Sequence, residues 1–357
     1  MNYVVAILVF GLMILVHELG HFIVAKLSGV AVVQFTIGFG PAIIKKKYKG
    51  TLYALRLLPI GGAVMMKGEE DEQSEKILTA QSALPEEEAK GIAFPDAPLW
   101  KRFLICIAGA CMNFLSGVVI VFLLLLPAQS YTTTTLGGFM DGFQYESAQY
   151  FQKGDRLVKV NEFHIYTFAD FSTALTLGAG EPFHVVVERD GKRLDLGEIP
   201  MEASVWNEET QSYYYGFQMA VGEYTSWTQK PGMALRTSMS YLQSAVAGLR
   251  MMISGRVGAN DMMGTVGIAN EIGTLAKTNT RSMWNFIAFI SVNLAFVNLL
   301  PIPVLDGGKI LFLLFELVAR RKLDPKYESY ASLVGLVLIL GLFVFVTYND
   351  ILRLIRG

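Results

Sequence analysis

The residues best placed to do chemistry are His17, Glu18 and His21. Two imidazoles four positions apart stand one above the other on the same face of a helix, a spacing that brings both ring nitrogens to one divalent ion. Glu18, beside the first histidine, is set to take a proton from a water that such an ion acidifies. The surroundings sharpen the reading. Tyr3 to Val16 carries no charge, and the apolar run resumes through Phe22-Ile23-Val24-Ala25. Each ionisable residue at membrane depth costs about 2.5–3.5 kcal/mol on the insertion scale, so three clustered there point to function rather than accident.

A catalytic zinc takes three protein ligands and keeps one position for water. His164 and His184 belong to a later extramembrane stretch, and Cys106 and Cys111 share an apolar run with no histidine or carboxylate beside them. The third ligand is therefore expected to be a carboxylate at membrane depth, and Asp306 answers that description. It follows Asn298-Leu299-Leu300-Pro301-Ile302-Pro303-Val304-Leu305, where two prolines break an apolar run, and it precedes the Gly307-Gly308 pair. Broken helices at that depth are tolerated where the backbone lines a protein or water cavity. Zn²⁺ rather than another ion follows from ligand type. A competing third ligand is Glu271, as in membrane-anchored zincins, although the topology below sets it on the outer side.

These residues need elements to hold them, and composition says which kind. The chain is 52% apolar and only 17% charged, against about 25% charge in soluble domains. A net charge of −1 leaves no basic footprint, so nucleic acid is excluded as a partner. Four transmembrane helices are expected: Asn2 to Ala25, Phe103 to Leu126, Trp284 to Leu300 and about Ser332 to Val346. The first lacks the basic start and small-residue cleavage site of a signal peptide and is read as a retained span. Lys and Arg crowd the loop from Lys26 to Arg102 and the loop around Arg320 and Arg321, and none occurs between the second span and Lys153. The positive-inside rule then puts those two loops in the cytoplasm, and the central loop and both termini outside.

Within the first loop, Thr51 to Leu58 and Pro59 to Met66 read as two short strands around a Pro/Gly break, too apolar for a free hairpin and expected to lie against the membrane. The Leu52 to Leu58 strand offers an edge on which a substrate could be held extended. Glu69 to Pro98 reads as an acidic, partly disordered connector. Gly232 to Ile253 reads as an amphipathic helix on the outer membrane face. Between them, Lys153 to Asn161 alternates as a strand after a turn, Phe171 to Leu177 suits a helix, and His184 to Leu194 reads as a hairpin about Asp190-Gly191. This order, with Leu136-Gly137-Gly138-Phe139 ahead of Lys153-Gly154-Asp155-Arg156, resembles a PDZ domain, which implies binding of an added peptide strand. The expected class is an α-helical polytopic membrane protein with an inserted extracytoplasmic PDZ-like α+β domain and a membrane-associated β-hairpin. Residues 1–127 and 284–357 form the membrane core, 128–222 the PDZ-like domain, and 223–283 a membrane-adjacent segment.

His17-Glu18-Leu19-Gly20-His21 early, Asn298 to Gly307 late and a PDZ-like insert between them resemble the site-2 protease family of intramembrane metalloproteases. The nearest likeness is the bacterial RseP branch, in a version with one PDZ domain. Gly38-Phe39-Gly40-Pro41, Pro59-Ile60-Gly61-Gly62 through Gly68-Glu69, Trp100-Lys101-Arg102 and Asn349-Asp350 extend the likeness over nearly the whole chain. Two motifs depart from the pattern. Ala110 stands where the family has proline in Ala-Gly-Pro ahead of Asn113-Phe114, and Gly264-Thr265-Val266-Gly267 replaces Gly-Pro-Val-Gly.

The resemblance implies a zinc endopeptidase of the bacterial inner membrane. Its substrates would be single-span membrane proteins, such as anti-sigma factors or remnant signal peptides, already trimmed outside by another protease, with membrane lipid as the surrounding partner. Zinc-activated water would attack the scissile peptide with Glu18 as general base. By the same resemblance Asn298 would hydrogen-bond the substrate backbone, while Pro301 and Pro303 shape its groove. Asn113 and Asn293 read equally well as helix-to-helix hydrogen-bonding residues. A reading from another class is a non-enzymatic membrane adaptor that binds peptides through the PDZ-like domain.

Overall fold

The computed structural model describes residues 2–68, 89–178, 180–201, 205–207, 212–255, 263–322 and 324–356. Contacts divide the chain into two compact units, residues 1–117 with 251–357, and residues 118–250.

The first unit begins with α1 (Asn2–Leu27), whose apolar residues have no proline to interrupt them. Two long strands follow, β1 (Val32–Tyr48) and β2 (Thr51–Met66), before α2 (Leu99–Leu125). The expected break at Pro59 does not end the strand. Gly38, Gly40 and Gly61 take positive φ and turn the strands through bulges without terminating them. Val32 to Ile37 consequently meets both halves of β2, facing Met66 to Gly62 on one side and touching Leu52 to Leu55 on the other. Ala42 to Tyr48 closes a hairpin on Arg56 to Thr51. Leu52 to Leu55 is thus flanked on both sides, which corrects the expectation that this segment supplies the open edge. Of the acidic connector, Glu69 to Glu88 lies outside the described residues, while its last part is packed, with Ala89 and Ala97 buried and Ile92 bridged to Val30.

The C-terminal half of the unit holds α5 (Thr265–Thr278), α6 (Thr280–Asn298), α7 (Asp306–Ala319) and α8 (Pro325–Arg356), numbered after the two helices of the second unit. The buried Asp350 carboxylate accepts the Gly264 and Gly267 backbone N–H groups at 3.0 and 2.8 Å, tying α8 to the start of α5. It satisfies donors that a helix N-terminus leaves open. Arg102 of α2 donates to Glu316 of α7 at 2.6 Å, with both side chains largely buried. Among the described residues three helices are long and apolar enough to cross a membrane, over Val4–Leu27, Leu99–Leu125 and Lys326–Leu352. The expected third span appears as the 19-residue α6, shorter and more polar than these.

In the second unit a six-stranded sheet runs in the order β10-β3-β4-β6-β7, with β5 paired to β4. These strands are β3 (Ser130–Phe139), β4 (Arg156–Val160), β5 (Phe163–His164), β6 (Phe183–Arg189), β7 (Lys192–Ile199) and β10 (Phe217–Glu223). A separate hairpin joins β8 (Val205–Asn207) to β9 (Ser212–Tyr214). Asp190 and Gly191, both at positive φ, make the tight turn between β6 and β7. Helix α3 (Phe168–Leu177) opens on a capping box between Thr167 and Asp170 and covers a core of Leu136, Leu157, Phe171, Phe183, Val185 and Ile199. Helix α4 (Lys230–Ile253) belongs to this unit as far as Arg250. Its Gln243 bonds both backbone groups of His164 at 2.9 Å, Ala247 enters the core, and Arg250 pairs with Glu162. Gln243 and Arg250, two of the polar residues that suggested a helix on the membrane surface, thus face the β-domain.

Candidate metal centre and catalytic site

Helix α1 presents His17 and His21 one turn apart, and at Gly109 α2 lies against them with its backbone rather than with a side chain. A Cβ placed on Gly109 would stand 2.6 Å from His17 Cε1 and collide with His21 Nε2. Gly20 does the same for α1, where a Cβ would stand 2.8 Å from Met112 Cγ. Small residues at both contacts let the helices approach closely. The approach brings the Ile105 carbonyl within 2.7 Å of His21 Nδ1. That nitrogen donates its proton, so Nε2 is left with a lone pair directed at the site.

The carboxylate arrives through the broken segment after α6. Leu299 to Leu305 leaves the helix, Val304 is held at φ 103°, and α7 starts at Asp306. A branched residue at positive φ persists only where its surroundings fix it. The Gly-Gly pair has a steric role here: a Cβ on Gly308 would stand 2.7 Å from Pro303 Cα. Asp306 Oδ2 lies 3.2 Å from His17 Nε2 and 3.3 Å from His21 Nε2, and the two Nε2 atoms are 3.1 Å apart. These three side chains form a group able to hold one metal ion. A tetrahedral zinc with ligands about 2.0–2.1 Å away spaces them about 3.3 Å apart, so the triangle fits. The Asp306 Oδ2 atom is buried with no hydrogen-bond donor among the described residues, as suits a metal ligand.

Glu18 lines the same cavity of about 320 Å³, together with Asn298, Lys309 and the strand segment Gly62 to Met66. A Cβ on Gly62 would stand 3.0 Å from Glu18 Cγ, so the strand approaches the carboxylate closely because it is glycine there. Pro301 and Pro303 shape the break but do not line the cavity. Glu271, the competing ligand, sits in α5 and is absent from the converging group. Two participants were not singled out from sequence. Lys309 stands one turn beyond Asp306, a spacing that could have flagged it. Asn113 sits fully buried on α2, its amide nitrogen 3.4 Å from His17 Nδ1, while Asn298 approaches the same atom at 3.3 Å. Asn293 instead bonds the Phe289 carbonyl of its own helix.

Comparison with known proteins shows the family. The profile of peptidase family M50 matches residues 5–342. A protein of Clostridium perfringens named as a zinc metalloprotease is 32% identical over 354 residues, covering 99% of each chain. One of Clostridium acetobutylicum, named likewise, is 30% identical over 350 residues, covering 98% of this chain and 97% of its own. The regulator of sigma-W protease RasP of Bacillus subtilis is 27% identical over 428 aligned positions, covering 99% of each. The chain is accordingly a polytopic membrane protein with zinc as its cofactor, and the adaptor reading gives way to an enzyme. It belongs to peptidase family M50, the site-2 proteases, as an intramembrane zinc metalloprotease.

Proposed function

We propose that His17, His21 and Asp306 hold the zinc and that Glu18 is the general base in cleavage of single-span membrane proteins. The observation that carries this is the triangle of ligand atoms, 3.1–3.3 Å on a side, in a cavity that also holds Glu18. The bound ion would polarise the scissile carbonyl and acidify a water. Glu18 accepts the proton and returns it to the leaving amine.

His17 needs an acceptor for its Nδ1 proton once Nε2 binds metal. Asn113 supplies it, because its Oδ1 is buried with no partner among the described residues and a half-turn of the amide brings that oxygen to Nδ1. Asn298, on the cavity wall, is then available to the substrate backbone.

A helical substrate hides its carbonyls and has to unwind before attack. Gly62 to Met66 is suited to hold it extended, since this strand pairs with β1 on one side and borders the cavity on the other. Substrates of the anti-sigma or remnant-signal-peptide kind, trimmed beforehand by an outer protease, suit such a site. The β-domain acts as a single PDZ-like filter outside the membrane, supported by the edge position of β10, where Val221 is 71% exposed. Four spans, counting α6, leave both termini and this domain outside the cytoplasm in the bacterial inner membrane.

The test is cleavage of a single-span reporter in proteoliposomes. Glu18→Gln is expected to leave substrate bound and uncut with zinc retained. Normal cleavage by that variant would refute the assignment.

A further inference from the structure

The β1–β2 ribbon carries a charge pattern that proteolysis does not use. From Val32 to Gly68 there is no acidic residue, while Lys45, Lys46, Lys47 and Lys49 crowd the end of the hairpin. All four lysines are exposed, as are Ile43, Ile44, Leu55, Leu57 and Leu58. In a hairpin resting on a core, apolar and polar residues alternate between the faces. Here they separate along the length instead: Lys47 pairs with Leu52 near the turn, and Ile44 with Leu55 farther in. Segregation along the strand is the pattern of a ribbon that crosses from headgroups into hydrocarbon.

The packing on α1 sets the depth of each end. Lys26, in the last turn of α1, donates to Thr51 Oγ1 at 2.7 Å and fixes the hairpin turn at the helix end. The other end of β2 reaches Glu18, where a Gly62 Cβ would stand 3.0 Å from its Cγ and 3.6 Å from Ile14 Cγ2. Eight residues of helix separate Lys26 from Glu18, about 12 Å of depth. The lysines therefore stand level with the end of a membrane-spanning helix, and the exposed Ile and Leu side chains lie deeper. Arg56, on the apolar half, turns its guanidinium onto the Gly40 carbonyl at 2.8 Å.

We infer that the hairpin end, Lys45 to Lys49, is a binding surface for anionic phospholipid headgroups, which anchor the ribbon whose far end borders the active site. Clustered lysines beside a span attract anionic headgroups by about fivefold in local preference for each lysine. The anchor holds the sheet at one depth, so that Gly62 to Met66 stays level with the zinc ligands.

The experiment places the full-length protein in nanodiscs of phosphatidylcholine alone or with three parts in ten phosphatidylglycerol. Backbone hydrogen exchange is then followed over residues 43–50. Exchange is expected to slow about fivefold or more with the anionic lipid. The difference should disappear at high salt and in K45Q/K46Q/K47Q/K49Q, whose unchanged zinc content shows that it folds. Equal exchange in both lipids overturns the proposal. Protection that ignores lipid charge but vanishes when Glu69, Glu70, Asp71 and Glu72 become Gln also overturns it, by making the acidic connector the occupant.

Discussion

Two carboxylates, the buried Asp155 in the β-domain and the half-buried Asp306 in the membrane core, are built for opposite ends. Asp155 is 1% exposed and fully served: Arg189 donates to both oxygens at 2.7 Å, and the Gln152 N–H adds a third bond. The pairing also raises the Arg189 pKa above its ordinary value, through its hydrogen bonds to Asp155. Asp306 meets two imidazole nitrogens with an oxygen to which, among the described residues, nothing donates. A carboxylate whose neighbours complete it contributes to stability, whereas one whose neighbours are also electron-pair donors is completed only by a cation. Burial alone does not separate a structural acid from a catalytic one; the chemistry of the facing atoms does.

The sharpest way to break this contrast is to remove each acid and measure both properties. Asp306→Ala should lower cleavage more than about a hundredfold, since even residues that only support a metal ligand cost 10–100-fold. The melting of the β-domain should not move. Asp155→Ala should do the reverse, destabilising that domain by about 1.5–3 kcal/mol by removing the charged partner of Arg189, which keeps only the Ala148 and Tyr150 carbonyls, with zinc content intact. Denaturant titration of the domain and zinc per chain read the two outcomes.

Gly109→Ala tests the close packing behind the site. A methyl group there collides with both imidazoles, so zinc binding should weaken as strongly as in a ligand variant while the helices remain inserted. Asn113→Ala should weaken zinc binding less, by about 10–100-fold in competition with a chelator. Unchanged affinity would leave His17 to Asn298 instead. The mildest effect is expected from deleting residues 130–220: a trimmed reporter should be cut as before and an untrimmed one newly admitted. Continued exclusion of the untrimmed reporter would argue against the filter.

The convergence of His17, His21 and Asp306 was legible because a helix turns i and i+4 onto one face and because prolines announce a broken span. The strand next to them was not. Gly38, Gly40 and Gly61 look like strand terminators in sequence, yet at positive φ they bend the ribbon and bring Gly62, rather than Leu52, to the site. Asn113 was hidden for another reason. An asparagine in an apolar helix reads the same whether it bonds its own helix, as Asn293 does, or stands against a histidine of the candidate site, as Asn113 does. The contact of helix α4 with the β-domain was not legible because Gln243 and Arg250 look alike facing lipid headgroups or a protein surface.

The most direct test is zinc per chain in the purified protein and in three variants. Wild type, Glu18→Gln and Glu271→Ala should each hold one zinc, and Asp306→Ala close to none. Full zinc in Asp306→Ala, or its loss from Glu271→Ala, would contradict the assignment.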